Sequence, residues 1–314
     1  MDTSKRIFIA GHNGMVGSAI IRALKKRGYN NLITADRQDL DLKNQNDVNA
    51  FFTKNKIDIV YNAAAKVGGI IGNATYPADF IIDNISIQNN IISACIDNNI
   101  EKYVFLGSCC IYPKECPQPM KEEYLLTGPL ELTNQPYAVA KIAGIVSCQA
   151  AYEQYGLKSV CPMPINLFGT GDNLDPDNSH IIPGLMRRLH FAKIKGLNES
   201  VVWGSGKVLR EYMHVDDCAD GIIFLTDKFE KGEIINVAPG TELTTRETAE
   251  VVADVVGFKG SLVQDTSKPD GTMRKYASNK IMKSLGWQPN LDFRTSLEKT
   301  YEDFKKEIKN AKWS

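Results

Sequence analysis

The sequence predicts an α/β fold, a doubly wound parallel sheet followed by a smaller α+β unit in the C-terminal half. Three observations carry this. Short apolar runs of strand length alternate with helical stretches of about 10–20 residues up to about residue 163. Glycines cluster at the first strand-to-helix turn, in "AGHNGMVG". Beyond Phe168 the alternation gives way to "GTGDNLDPDNSHIIPG", whose Gly, Asp, Asn and Pro content reads as loop.

The elements follow in order. "RIFIA" at 6–10 is a continuously apolar run, the pattern of a parallel strand covered on both faces. Residues 15–27 carry apolar side chains at helical spacing, and "NLITAD" at 31–36 is strand-like again. "IDIVYNA" at 57–63 begins a third unit, a long helix is expected over 77–98, and a fourth strand covers 103–107. Residues 136–155 read as a helix with proline in its first turn, and 159–163 as the next strand. "IINV" at 234–237 is expected to return to the main sheet. The expected domains are 1–169, joined by a return strand and helix near 214–238, and a substrate-binding domain built mainly from 170–314. The cleft between them is the natural ligand site.

Composition bounds the partners. In 314 residues, 37 Lys and Arg balance 37 Asp and Glu, so no basic field exists to draw nucleic acid or an anionic membrane. Small molecules are the expected partners, with no nucleic acid and no membrane. Residues 1–6 lead straight into a strand without an apolar targeting region, and no apolar run reaches the ~18 residues of a membrane span, so a cytoplasmic location is expected. The seven cysteines show no C-x-x-C spacing, which suggests neither a disulfide framework nor a metal site, and Cys95, Cys148 and Cys218 lie within helical apolar patterns as core residues do.

Gly11, Gly14 and Gly17 stand where a tight turn, a close backbone approach and close helix-on-strand packing are needed to seat a pyrophosphate on a helix N-terminus. Asp36 and Arg37 follow at the tip of the second strand. An acid there holds the adenosine 2′-hydroxyl of NAD, whereas an arginine accommodates the 2′-phosphate of NADP. In "PYAVAKIAG", Tyr137 and Lys141 lie four apart on one helix face, where an ammonium beside a phenol favours proton exchange with a carbonyl oxygen. Ser108 ends the preceding strand, followed by Cys109 and Cys110.

The glycine loop, "NAAAKVGGI", the Ser108 strand and "YAVAK" together resemble the extended short-chain dehydrogenase/reductase family. The resemblance implies a Rossmann-like sheet, with Tyr137 as catalytic acid or base. Lys141 lowers its pKa and holds the nicotinamide ribose, and Ser108 hydrogen-bonds the substrate oxygen. Sugar dehydratases of that family carry an acidic pair after the serine or threonine, and simple 4-epimerases carry small residues, whereas this chain has thiols. A thiol has an ordinary pKa near ~8.5 and can remove a proton from carbon next to a ketone. Strand alternation turns Ser108 and Cys110 to one face and Cys109 to the other. "NSHIIP" offers His180 as the acid on the opposite side of a sugar ring.

Cys110 and His180, together with "TYPADF", "LGSCCIYP", "NLFG", "VVWGSG", "REYMHVDD", "KPDGTMRK" and "LGW", look like the branch of that family that converts GDP-4-keto-6-deoxy-D-mannose by 3,5-epimerisation and 4-reduction. By that resemblance the cofactor is held by Gly11, Asn13, Gly14, Met15, Val16 and Gly17, by Asp36 and Arg37, by Leu106 and Gly107, by Lys141, by Pro164, Asn166 and Leu167, and by His180. Arg188, Trp203, Arg210 and Asp270 match positions that contact the nucleotide sugar. NADPH is the implied cofactor, but Asn13 replaces a residue that is often basic in bacterial relatives, and with Asp36 it leaves NADH open. A homodimer is also implied. The alternatives are a reductase of another GDP-linked 4-keto sugar, such as a heptose, and a dinucleotide sensor without turnover, against which Ser108, Tyr137 and Lys141 speak.

Overall fold

The computed structural model describes residues 1–175, 179–268 and 270–310; Asn178 of "DNSH" and Pro269 of "KPDG" lie outside the described residues. The chain first lays down β1 (Ile7–Ala10), α1 (Met15–Lys26), β2 (Leu32–Ile33), α2 (Gln45–Asn55) and β3 (Ile59–Asn62). Then come α3 (Ile70–Thr75), α4 (Pro77–Asp97), β4 (Lys102–Phe105), α5 (Gln135–Tyr155), β5 (Ser159–Pro164) and β6 (Asn166–Phe168). Next are α6 (Ile181–Ile194), β7 (Glu199–Trp203), β8 (Leu209–Arg210), β9 (Tyr212–His214), α7 (Val215–Thr226) and β10 (Lys231–Val237). The last elements are β11 (Leu243–Thr244), α8 (Thr245–Val256), β12 (Ser261–Asp265), β13 (Arg274–Lys275), α9 (Lys280–Ser284) and α10 (Phe293–Asn310).

Six strands form one sheet in the order β10-β5-β4-β3-β1-β2, and every pairing within it is parallel. All residues of β1, β3 and β4 are buried, as their apolar runs require of strands covered on both faces. The order reverses at β1, whose neighbours are β2 and β3, so the carboxyl ends of β1 and β3 open a crevice of the kind that takes a ligand. The strand expected over 31–36 shrinks to Leu32–Ile33 at the sheet edge. The returning strand is longer than expected and pairs with β5 from Lys231 to Val237.

Helix α2 is one that the apolar pattern did not single out. It rests instead on its cap, where Asn44 accepts from the Asn46 and Asp47 amides, and on two aromatics. Phe51 and Phe52 meet Phe8 of β1 at ring separations of 5.0 and 5.7 Å.

The hydrophobic interior forms two clusters. The larger surrounds the main sheet and takes in Val215, Cys218, Ile222, Ile235 and Val237, so the 214–238 segment rejoins the first part of the chain. The smaller joins Ile182, Leu185 and Leu189 of α6 to Val252 and Val256 of α8 and to Leu297 and Phe304 of α10. Among the described residues no helix is long and apolar enough to cross a membrane.

Candidate active site

The first turn of the sheet has the shape that a pyrophosphate needs. Gly11 sits at φ +78°, and a Cβ there would lie 2.7 Å from the Ala64 amide nitrogen beyond β3. A Cβ on Gly17 would lie 2.2 Å from the Gly11 carbonyl oxygen, so only glycine lets α1 approach the turn this closely. The Gly14 amide donates to the Gly11 carbonyl at 3.0 Å, and Gly14 caps α1 without any side-chain hydrogen bond, leaving the helix N-terminus at Met15 and Val16 open toward an anion. The residues present therefore fit a dinucleotide.

At the adenosine end, the Asn13 amide donates to Asp36 at 2.6 Å, and the His12 ring lies 3.5 Å from the same carboxylate. Asp36 and Arg37 are both exposed. His12 was not among the expected residues; its position two before Gly14 in the loop was the available signal.

The expected acid–base residues converge at the end of β4. Ser108 is extended and caps a single 3-10 turn, Cys109–Ile111, its hydroxyl accepting from the Cys110 amide at 3.3 Å. Strand alternation therefore does not reach the thiols, and the turn leaves one buried and the other partly exposed. Cys109 is buried with its sulfur 3.6 Å from the Met163 carbonyl, and burial pushes its thiol well up. Cys110 stays partly exposed, and the Asn134 amide donates to its sulfur at 3.3 Å. Asn134 immediately precedes α5, which carries Tyr137 and Lys141. Cys110 also lines a small pocket with Lys114, Glu131, Arg274 and Lys275.

The Lys141 ammonium is buried and donates to the Leu106 carbonyl at 2.7 Å, 5.8 Å from the centre of the Tyr137 ring. Burial pushes its pKa down to about 8. The expected depression of the phenol by Lys141 is absent. Burial first, and then the neighbouring Cys110, push Tyr137 up, and a hydrogen bond with Ser108 only partly counters them. A phenol held in this way keeps its proton and is suited to giving it to an oxygen that gains negative charge.

Gly107 donates from its amide to the Pro162 carbonyl at 2.9 Å, bringing Leu106 and Gly107 beside the end of β5 at Pro164. Asn166 and Leu167 lie on β6, paired with β9, and the Asn166 amide donates to the Glu211 carbonyl at 2.8 Å. His180 caps α6, with its side chain 54% exposed and its Nδ1 3.3 Å from a carboxylate oxygen of Asp172. That carboxylate raises the pKa of the ring. No direct hydrogen bond joins His180 to Cys110 or Tyr137 among the described residues. Asp172 and Asn134, like His12, escaped the sequence reading, because neither shares an element or a period with the group that it contacts.

The four residues expected to meet the nucleotide sugar interact in two pairs, Arg188 with Trp203 and Arg210 with Asp270. The Arg188 guanidinium stacks over Trp203 at 4.8 Å, and Trp203 is 48% exposed, not core. Beside it, Asp270 accepts from the Ser205 amide at 2.7 Å, and Arg210 lies close enough to lower the Asp270 carboxyl further. Burial pulls both guanidinium groups down, and Arg188 Nε is buried without a partner among the described residues. A buried cation in that state calls for an anion. Lys268, 5.4 Å over the same Trp203 ring, joins this face although it was not among the expected residues.

Residues 7–238 match the model of the NAD dependent epimerase/dehydratase family. Over 309 residues the chain is 50% identical to GDP-L-fucose synthase 1 of Arabidopsis thaliana, covering 98% of this chain and 96% of the relative. It is 48% identical over 311 residues to the GDP-L-fucose synthase of Escherichia coli strain K12, covering 96% and 97%. A solved GDP-mannoheptose C4 reductase from Campylobacter jejuni with NADP bound aligns with a TM-score of 0.88 at 36% identity, covering 97% of this chain and 99% of that one.

Proposed function

The chain belongs to the NAD-dependent epimerase/dehydratase family, and from that premise we infer that its cleft carries out the GDP-L-fucose synthase reaction. The substrate is GDP-4-keto-6-deoxy-D-mannose, which is inverted at C3 and C5 and then reduced at C4. One observation supports the epimerase half above all: a partly exposed Cys110 sulfur that receives an amide N–H beside the Ser108–Tyr137 pair. A reductase alone has no use for a base there. The heptose reductase reading is the weaker one, because the chain is more similar to the Arabidopsis and E. coli synthases than to the Campylobacter reductase.

The C4 ketone acidifies the hydrogens on C3 and C5. Cys110 removes such a proton, the negative charge passes to the ketone oxygen as an enolate, and His180 returns a proton to the opposite face of the carbon. Groups of this kind contribute about 10²–10⁴-fold each. When bound, the reduced nicotinamide supplies the hydride that makes C4 an alcohol. Tyr137 gives its proton to the C4 oxygen, and Ser108 holds that oxygen by a hydrogen bond. Lys141, fixed on the Leu106 carbonyl, holds the ribose and stabilises the phenolate that results.

NADPH is the cofactor in this reading, seated on the Gly11–Gly17 turn with Arg37 toward the 2′-phosphate. Support comes from the fit of the turn and from the NADP bound to the Campylobacter relative. Leu106, Gly107, Pro164, Asn166 and Leu167 line the nicotinamide end. Arg188 and Arg210 take the diphosphate, Trp203 offers a stacking face, and Asp270 positions the nucleotide beside them. Residues 1–169 with 214–238 form the dinucleotide domain. The working form is a cytoplasmic homodimer joined through α4 and α5, which pack together and leave Ile82, Val139 and Val146 exposed.

The test is to incubate the purified protein with the keto sugar in D₂O, with and without NADPH, and to follow it by NMR. Deuterium at C3 and C5 without reductant, and NADPH consumption with it, are expected. Reduction without deuterium entry would leave a simple C4 reductase, and silence in both would end the reading.

A further inference from the structure

The Asp172 side chain is only 4% exposed, whereas the imidazole that it meets at 3.3 Å is 54% exposed. The carboxylate is fixed before His180 reaches it, because the same Oδ1 accepts from the Asn173 amide at 2.8 Å and the Asp172 amide donates to the Gly169 carbonyl at 3.1 Å. Its other oxygen is buried with no partner among the described residues. Asp172 lines a small pocket together with Asp303 and Glu307 of α10. Asp303 is already engaged by Thr170 at 2.6 Å and by Lys306 at 3.0 Å, and burial together with Asp303 and Asp172 pushes the Glu307 carboxyl up. Among the described residues the titratable groups lining the pocket, Asp172, Asp303 and Glu307, are all acids, and the His180 ring is the cation that contacts Asp172.

His180 also caps α6, where the helix N-terminus carries partial positive charge and opposes an imidazolium. A full carboxylate charge in contact outweighs that partial one and selects the tautomer with the proton on Nδ1 when the ring is neutral.

We propose that Asp172 is the positioning residue of the epimerisation half-reaction: it grips His180 through Nδ1, leaves Nε2 as the edge free to meet the sugar, and fixes His180 as the proton donor opposite Cys110. This rests on the reading above. In each inversion Cys110 gains the proton taken from carbon, the imidazolium loses Nε2–H to the enolate carbon, and water resets both groups.

The experiment compares the parent with Asp172→Asn and Asp172→Glu. The His180 ring is titrated by NMR, its signal among the four histidines assigned by its loss in His180→Gln. Deuterium entry at C3 and C5 without reductant is followed against pH, and oxidation of GDP-L-fucose by NADP reads hydride transfer alone. Asp172→Asn is expected to lower the His180 midpoint by about one pH unit or more. It is also expected to slow deuterium entry about tenfold at pH 8 and to move the alkaline limb of the profile to lower pH by the same interval. Sugar oxidation should stay within about twofold of the parent, and Asp172→Glu should recover the midpoint. An unmoved midpoint and profile in Asp172→Asn, or an equal loss of sugar oxidation and deuterium entry, overturns the proposal. A parent without deuterium entry would instead defeat the epimerase reading, and the titration would still decide the pairing.

Discussion

The Asn134 amide donates to the Cys110 sulfur at 3.3 Å, across 24 residues of sequence, at the point where α5 begins. The contact couples the Cys110 sulfur to the same helix that holds Tyr137 and Lys141. Removing the sulfur should therefore separate the two half-reactions. Cys110→Ala is expected to lower deuterium entry at C3 and C5 by about 10²-fold or more, while oxidation of GDP-L-fucose stays within a few-fold. Asn134→Ala, which removes the side-chain hydrogen bond to the Cys110 sulfur, should slow deuterium entry by about tenfold. Parent-like deuterium entry in Cys110→Ala would exclude that sulfur as the base.

Tyr137 gives the mirror result. Burial raises the pKa of its phenol, and the proposed mechanism uses it as the acid in the reducing direction. Tyr137→Phe keeps the ring and loses the proton, and NADPH oxidation with the keto sugar should fall by about 10²–10⁴-fold. Deuterium should still enter C3 and C5, because Cys110 and His180 remain. Loss of deuterium entry in this variant would mean that the phenol also serves the inversions.

How much of this could be read from the chain depends on where each contact lies in sequence. The parallel sheet was legible because strands buried on both faces are continuous apolar runs, as in "IFIA" and "IVYN". Helix α2 was not, because its eleven residues bury only Val48 and Phe52 and lean on Phe8 of a distant strand. Motif spacing brought Ser108, Tyr137 and Lys141 to one place, but it credited Lys141 with lowering the phenol, whereas the ammonium turns to the Leu106 carbonyl. Strand alternation was the wrong premise for the thiols, since Ser108 caps a 3-10 turn and ends the strand; the turn itself leaves Cys109 buried and Cys110 partly exposed. Asp172 with His180, and Arg188 with Trp203, are tertiary pairs between separate elements, and neither the period of a helix nor that of a strand records them.

The glycine turn can be tested by two substitutions that look alike on paper. A Cβ at Gly17 would meet the Gly11 carbonyl oxygen at 2.2 Å and the Gly11 carbonyl carbon at 2.7 Å, both backbone atoms that cannot step aside without opening the turn. At Gly14 the nearest approach is 3.3 Å, and φ is an ordinary −75°. Gly17→Ala should cost about 1–3 kcal/mol of stability and weaken NADPH binding at least about tenfold, while Gly14→Ala should change either by far less. Fluorescence titration with NADPH and urea unfolding of both variants check this; equal losses would mean that the clash is not what makes glycine necessary at 17.

Glu211 sets a pH dependence of stability that is separate from catalysis. Its side chain is fully buried and accepts from the Gly240 amide at 2.6 Å and the Ala277 amide at 2.9 Å, tying the end of the main sheet to the segment after β13. Burial outweighs those donors and raises its pKa from an ordinary 4.5 to about 7. Below about pH 4.5 both folded and unfolded chains hold the proton, so the contribution is fully present there. Between pH 4.5 and 7 the unfolded chain releases the proton first, so stability falls as pH rises, and above 7 the contribution is gone. From pH 5 to pH 8 the parent should therefore lose about 2–3 kcal/mol relative to Glu211→Gln, whose own offset does not depend on pH. Urea unfolding of both proteins at the two pH values measures the difference directly. If the gap between parent and variant were the same at both, the folded-state carboxyl would be ionised throughout, and its backbone donors would have overcome its burial.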